Sequence, residues 1–289
     1  MSTVCDVPCP SCKALKHRAC VSKTGRKLSR NDSHARRRLA APGVQLDLVS
    51  NPVPPPIVGI DLGLGDVADL AKDSGLHGKF RLIHVDAPWK YDNVGVNGAA
   101  DKKYGGLPIS TIIEHVNSAY DLAEEDAYML FWCTCPMQRD WFVQEAAAQK
   151  VGEFRWRYVS GGAWGKRPDE GRDRKGSGTH MRGDAEVPFL YVKGNPRPYY
   201  AYLTNWTVTE RPAHSEKPVS WLREVLRCLV PPDARVVDYY AGRGSMARAC
   251  YSEYREYLGR EIDPNRLEQG LGSLSRYANL HPRSQAVAL

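Results

Sequence analysis

Four consecutive residues, Asp86-Ala87-Pro88-Trp89, leave the end of the apolar run Phe80-Arg81-Leu82-Ile83-His84-Val85. A carboxylate and neighbouring main-chain carbonyls at a strand end can accept the hydrogens of an exocyclic amine on a flat base. An indole beside them can stack on the ring. A second constellation is the glycine-rich stretch Tyr239-Tyr240-Ala241-Gly242-Arg243-Gly244-Ser245, preceded by Asp238 and followed about one strand later by Gly259-Arg260-Glu261. Glycines between a strand and a helix let the backbone approach a ligand, and the helix start offers free N–H donors. An acidic residue after the next strand is where ribose hydroxyls of a nucleotide cofactor are bound. The stretch has neither a P-loop lysine nor the six-residue dinucleotide fingerprint, which disfavours NTP and NAD; alone it also fits a tight turn with no ligand.

A third group is His214-Ser215-Glu216-Lys217-Pro218. Ser215 suits a helix N-cap and Pro218 the first turn. A lysine at a helix start gains nothing from the macrodipole, so Lys217 is expected either to hold a carboxylate or to lie on a surface cap. A fourth is Cys9-Pro10-Ser11-Cys12 followed by Cys20 and His34. Three thiolates and an imidazole satisfy tetrahedral Zn²⁺, with Cys5 and His17 as competing ligands. Too few apolar residues surround them to fold the segment unaided.

These groups must be positioned by elements that the pattern of the chain suggests. The 289 residues carry 42% hydrophobic and 25% charged side chains, which is globular composition. Residues 1–38 form a basic Cys/His module, residues 39–56 a proline-rich linker, and residues 57–280 a single α/β domain. Strands are expected over 79–85, Ala127–Thr134, 154–160, 187–193, Val236–Tyr240 and Glu256–Gly259. Helices are expected over 109–123, 137–150, 217–229 and Ser245–Tyr254. Alternating strands and helices predict a mostly parallel sheet between helices. Cys133, Cys135, Cys228 and Cys250 read as small buried apolar residues. No stretch approaches the length of a membrane span and no apolar leader precedes the basic start, so a cytoplasmic location is expected.

The net charge of +7 is concentrated in the first forty residues, among them Lys13, Lys16, Arg26, Arg30, Arg36, Arg37 and Arg38. Such a block favours nucleic acid, or else forms a solvated tail.

Taken in order, Asp-Ala-Pro-Trp, a loop ending in Lys103-Tyr104, Trp164-Gly165-Lys166, Tyr191-Val192-Lys193-Gly194, Ala213 to Pro218 and the Asp238–Ser245 turn resemble the MT-A70-type N6-adenine methyltransferases over roughly residues 57–265. The resemblance implies a Rossmann-like methyltransferase domain of the permuted (β-class) order. It also implies S-adenosyl-L-methionine as cofactor and an adenine in nucleic acid as substrate, with DNA favoured over RNA, in a phage or bacterial setting. Asp86 and the carbonyls of Ala87 or Pro88 would hold the target amine, and Trp89 would stack on the base. Lys217 would pair with the cofactor carboxylate. Asp238, Ala241, Gly242, Arg243, Gly244 and Ser245 would line the cofactor, and Glu261 would meet its ribose. Tyr104, Lys166, Arg174 and His180 would meet the substrate.

The family string is usually Asp-Pro-Pro-Trp; Ala87 departs from it, which leaves open a catalytically silent nucleic-acid-binding subunit. N4-cytosine methylation uses the same amine chemistry and is a further alternative. The amino-terminal module resembles small Cys₃His zinc modules of actinobacterial and actinophage proteins, with Cys9, Cys12, Cys20 and His34 as ligands.

Overall fold

The computed structural model describes residues 59–91, 106–167, 184–200, 203–210 and 216–282. All of these lie in the compact unit Pro56–Gln285. Tyr104, Arg174, His180, Ser215 and the four expected zinc ligands lie outside the described residues.

The described chain runs β1 (Ile60–Leu64), α1 (Val67–Leu70), β2 (Phe80–Val85), α2 (Ile109–Leu122), β3 (Ala123–Thr134), α3 (Gln138–Lys150), β4 (Arg157–Gly161), β5 (Ala163–Arg167), β6 (Ala185–Lys193), β7 (Trp206–Glu210), α4 (Val219–Leu229), β8 (Arg235–Asp238), α5 (Ser245–Ser252), β9 (Glu256–Glu261) and α6 (Pro264–Leu280). The strands form one sheet in the order β1-β9-β8-β2-β3-β6-β5-β7, with β4 also paired to β6. From β1 to β3 every neighbour is parallel. Beyond β3 the sheet departs from the expected pattern: β6 runs antiparallel to β3, β4 and β5.

Both faces are covered, which is why β3 reads as a continuous apolar run and is buried without a break from Ala127 to Cys133. On one face α2 and α3 contribute Ile112, Val116 and Trp141 to a core with Ile83, Val85, Phe131 and Tyr191. On the other, α4 and α5 bring Trp221, Leu222, Val225, Leu226, Met246 and Ala247 against Leu82, Leu130, Trp132, Val236 and Tyr257. The buried residues of α4 recur at three- and four-residue spacing, a single apolar stripe turned to the sheet.

The helix after β2 therefore lies on one face and the helix after the adjacent β8 on the other. Where successive connections diverge in this way, the strand ends leave a crevice. Asp86 and the glycine turn flank it.

Several boundaries differ from expectation. Tyr239 and Tyr240 belong to the turn, not to β8, and α5 is shorter than expected. Strands β1, β5 and β7 and helices α1 and α6 were not expected. Cys133 and Cys250 are buried as expected, Cys228 is half-buried, and Cys135 is exposed in a short 3₁₀ turn after β3.

Candidate active site

Asp86 leaves β2 with its carboxylate 2.5 Å from Lys217 Nζ. Lys217 is only 5% exposed and also lies 3.1 Å from Glu186 Oε2. Glu186 accepts an ion pair from Lys166 through its other oxygen. The result is a neutral quartet, Asp86–Lys217–Glu186–Lys166, with the Lys217 ammonium 5.3 Å above the Trp132 ring.

Charge and burial compete in this quartet. Burial pushes the Asp86 carboxyl above its ordinary value, Lys217 opposes that rise, and Glu186 adds to it. Burial would also raise Glu186, but Lys217 and Lys166 outweigh it and hold that carboxyl at about 2. Burial would lower Lys217, yet Asp86 and Glu186 hold it above the ordinary lysine value. Lys217 is therefore a fixed cation and Glu186 a fixed anion. Asp86 is the carboxyl whose proton affinity is raised, and the most exposed member of the four.

Lys217 was expected to hold a cofactor carboxylate; its ammonium lies between two carboxylates of this chain, Asp86 and Glu186. Lys166, expected at the substrate, is held by Glu186 and lies 4.8 Å over the Trp164 ring. Glu186 itself was not anticipated, because its sequence neighbours place it in a polar loop. The antiparallel run of β6 pairs Glu186 with Thr134 at the end of β3, and so brings it to the edge that carries Asp86.

Trp89 is also placed differently from expectation. It is 5% exposed and meets Phe131 and Trp141 edge-on, with centroids 5.7 and 5.8 Å away. Its ring is a core member that anchors the Asp86 loop, and its faces are not open for stacking. Ala87 is buried in the same core. The Pro88 carbonyl accepts from Leu107 N at 2.7 Å, and Lys90 N donates to the Leu107 carbonyl at 3.2 Å. The loop is thus pinned to the segment leading into α2. Tyr91 follows, its hydroxyl donating to Thr134 Oγ1 at 2.8 Å.

The turn after β8, the parallel neighbour of β2, has Gly242 at φ +51° and Gly244 at φ +72°, the left-handed region that favours glycine. A Cβ at Gly242 would meet nothing closer than the Tyr240 carbonyl at 3.9 Å, so that side of the turn is open. A Cβ at Gly244 would lie 3.4 Å from Leu62, so that side is packed. Ala241 is buried, its N–H donating to the Arg260 carbonyl at 3.0 Å. Ser245 Oγ accepts from Lys217 N at 3.2 Å, which joins the turn to the start of α4. Glu216 accepts from Arg248 at 3.0 Å, with Arg243 3.9 Å away. Glu261 accepts from Gly242 N at 2.8 Å and from Asp263 N at 2.9 Å. Asp238, expected at the cofactor, is 1% exposed, and both its oxygens are engaged by His84 and Tyr257.

The sheet and helices of the described residues have the mixed α/β fold seen in solved methyltransferases. Solved structures share that fold. M1.HpyAVI in complex with SAM superposes with a TM-score of 0.55 at 14% identity, covering 74% of this chain and 98% of that one. PvuII DNA methyltransferase, cytosine-N4-specific, gives 0.54 at 12% identity over 77% and 93% of the two chains. The Thermus thermophilus protein TTHA0409, described as a "Putative DNA Modification Methylase" and complexed with S-adenosyl-L-methionine, gives 0.52 at 14% identity over 76% and 96%.

Residues 3–49 match the family described as "Putative DNA-binding phage zinc finger domain". That match spans the segment expected to hold zinc. Among the described residues no cluster of His, Cys, Asp or Glu is arranged for a metal. No curated protein sequence matches the chain. Among the described residues no helix is long and apolar enough to cross a membrane.

Proposed function

We propose that this chain transfers a methyl group from S-adenosyl-L-methionine to the exocyclic amine of a base in DNA, with adenine N6 as the target. The observation that carries the reading is the placement of Asp86. Its partly open carboxylate follows the end of β2, fixed by Lys217, and the left-handed glycine turn follows the end of the adjacent parallel strand β8. The open face at Gly242 fits a cofactor lying against main chain. When bound, the cofactor supplies an electrophilic methyl on a sulfonium.

The chain's own groups do the rest. An aromatic amine is a weak nucleophile because its lone pair is delocalised into the ring. Asp86 accepts one amine hydrogen, favours a pyramidal nitrogen, and takes the proton that the nitrogen must lose once methylated. Burial raises the proton affinity of Asp86 and suits it to this task. Lys217, kept charged by Glu186, orients Asp86 and balances its charge. Trp89 contributes by anchoring the loop.

The amino-terminal segment adds a DNA-docking module, with Cys9, Cys12, Cys20 and His34 holding a structural Zn²⁺ and the surrounding cations meeting phosphates. The match over residues 3–49 supports this part of the reading.

The test is incubation of the full chain with methyl-labelled cofactor and unmethylated DNA, followed by nuclease digestion and mass spectrometry of the nucleosides. N6-methyladenine with the native chain, and none with Asp86→Ala, is the expected outcome. Label in N4-methylcytosine would favour the second reading, to which the fold shared with a cytosine-N4-specific enzyme lends support. Tight DNA binding with no label in any nucleoside would overturn both, and leave a silent binding subunit.

A further inference from the structure

Beneath the site lies a row of four buried side chains that the proposed reaction does not use. Trp132, His84, Asp238 and Tyr257 stand on the adjacent strands β3, β2, β8 and β9, and are 1%, 3%, 1% and 3% exposed. An indole N–H can only donate, so Trp132 Nε1 donates to His84 Nε2 at 3.0 Å. That leaves the imidazole proton on Nδ1, which donates to Asp238 Oδ1 at 2.8 Å. Tyr257 completes the row, its hydroxyl donating to Asp238 Oδ2 at 2.9 Å. The polarity of each bond follows from the donor at either end.

The row is built into the strands. His84 and Asp238 are direct register partners, and the Tyr239 N–H donates to the His84 carbonyl at 2.9 Å. Tyr257 reaches Asp238 by passing over Gly259, the register partner of Asp238. A Cβ at Gly259 would stand 2.1 Å from the Tyr257 hydroxyl, so the reach depends on glycine there. A carboxylate at this depth is costly unless its oxygens are engaged, and here both are. Apolar side chains of similar size would fill the space but attract without direction. Hydrogen bonds fix the lateral placement of the groups they join.

The residues immediately beyond this row form the site. Asp86 lies two residues past His84 on the same side of β2. The glycine turn follows Asp238, Glu261 lies two past Gly259, and Thr134, which holds Tyr91, lies two past Trp132. Trp132 also carries Lys217 over its ring.

We propose that this row is a positioning device. It sets the spacing between Asp86 and the glycine turn, and Asp238 acts through His84 rather than by touching the cofactor. The consequence for catalysis rests on the proposed methyl transfer; the structural test does not.

The test uses the full chain as His84→Leu, Tyr257→Phe and the double variant. Tyr257→Phe deletes one oxygen on β9 and touches neither loop. Amide hydrogen exchange is followed by mass spectrometry in peptides covering 84–91 and 239–245. Tyr257→Phe should speed exchange in both segments by about tenfold, with the double variant no faster than His84→Leu alone. Exchange changes confined to β9, or effects of the two variants that add, would overturn the proposal.

In the transfer assay, Tyr257→Phe should lower kcat by about 10- to 100-fold with the cofactor KM within about threefold. A kcat per folded molecule within about threefold of native would reduce the row to a stability feature and overturn the proposal. A rise in cofactor KM without a change in exchange would instead assign Asp238 to the cofactor and also overturn it. If the native chain transfers no methyl group, the proposed function fails while the exchange result still decides the role of the row.

Discussion

Replacing Lys217 by methionine keeps most of the side-chain volume and removes the cation shared by Asp86 and Glu186. At 2.5 and 3.1 Å from the two carboxylates, each attraction is about 5–7 kcal/mol gross at an effective dielectric of about 20. Desolvation of a site only 5% exposed returns most of that, so the bridge itself contributes little net. Deleting one partner is a different operation. It leaves two buried carboxylates with Lys166 alone, and comparable deletions cost about 3–5 kcal/mol.

Against a total stability of about 5–15 kcal/mol, such a loss moves the urea midpoint by about 1–2 M at an m-value of about 2–3 kcal/mol/M. The assay is urea unfolding at pH 7, followed by tryptophan fluorescence. A companion Lys217→Met, Asp86→Asn variant should recover part of the loss, because the orphaned charge is gone. A loss under about 1 kcal/mol, or no recovery in the double variant, would refute the picture of a buried quartet held by Lys217.

Glu186 has a folded-state value of about 2, below its ordinary 4.5. Its contribution, about 3 kcal/mol, is therefore complete above about pH 4.5 and is lost as pH falls toward 2; Glu186→Gln should flatten the acid limb of stability in that window, measured by urea titration at several pH values. Asp86→Asn should reduce methyl transfer by about 10²- to 10⁴-fold with the domain still folded by circular dichroism, since it removes the proton acceptor and leaves a neutral isostere. Because Asp86 is raised above its ordinary value, kcat/KM should fall on acidification with an apparent pKa above 3.8. Gly244→Ala places a side chain at φ +72°, 3.4 Å from Leu62, and should lower stability by about 1–2 kcal/mol, read as a drop in Tm.

Legibility in the sequence followed the range of the forces involved. The strands β2, β3, β8 and β9 and the helices between them carry local periodicity, and their existence and order were readable from it. Asp86 and the glycine turn were readable because their residue types are unusual at strand ends. A strand over 187–193 was also readable, but its antiparallel direction and its start at Ala185 left no such mark: β6 lies between β3 and β5 through pairings far apart in the chain, and its apolar stretch reads equally well in either direction. Glu186 was lost with it. Trp89 was misplaced for a related reason. An aromatic beside a candidate site suggests a stacking surface, whereas only the tertiary packing shows Phe131 and Trp141 closing around it.

Lys217 is legible in the sequence only in part. Its position at the start of α4, where the macrodipole opposes a cation, suggests either a nearby carboxylate or a surface cap, and its buried ammonium meets carboxylates. Sequence supplied no way to tell a carboxylate of the chain from one on a ligand. The structure supplies two from the chain, on β2's exit and on β6's entry. Those two strands flank β3, so the lysine joins its two neighbours across the end of the central strand, above Trp132. A cation fixed in that place keeps the more open carboxylate, Asp86, turned toward the crevice while Glu186 is locked between two lysines. Removing Glu186 should therefore alter the orientation and proton affinity of Asp86 without touching it, and the acid limb of kcat/KM in Glu186→Gln should shift to lower pH as one neighbouring negative charge disappears. An unshifted limb would mean that burial and Lys217 govern Asp86 without Glu186.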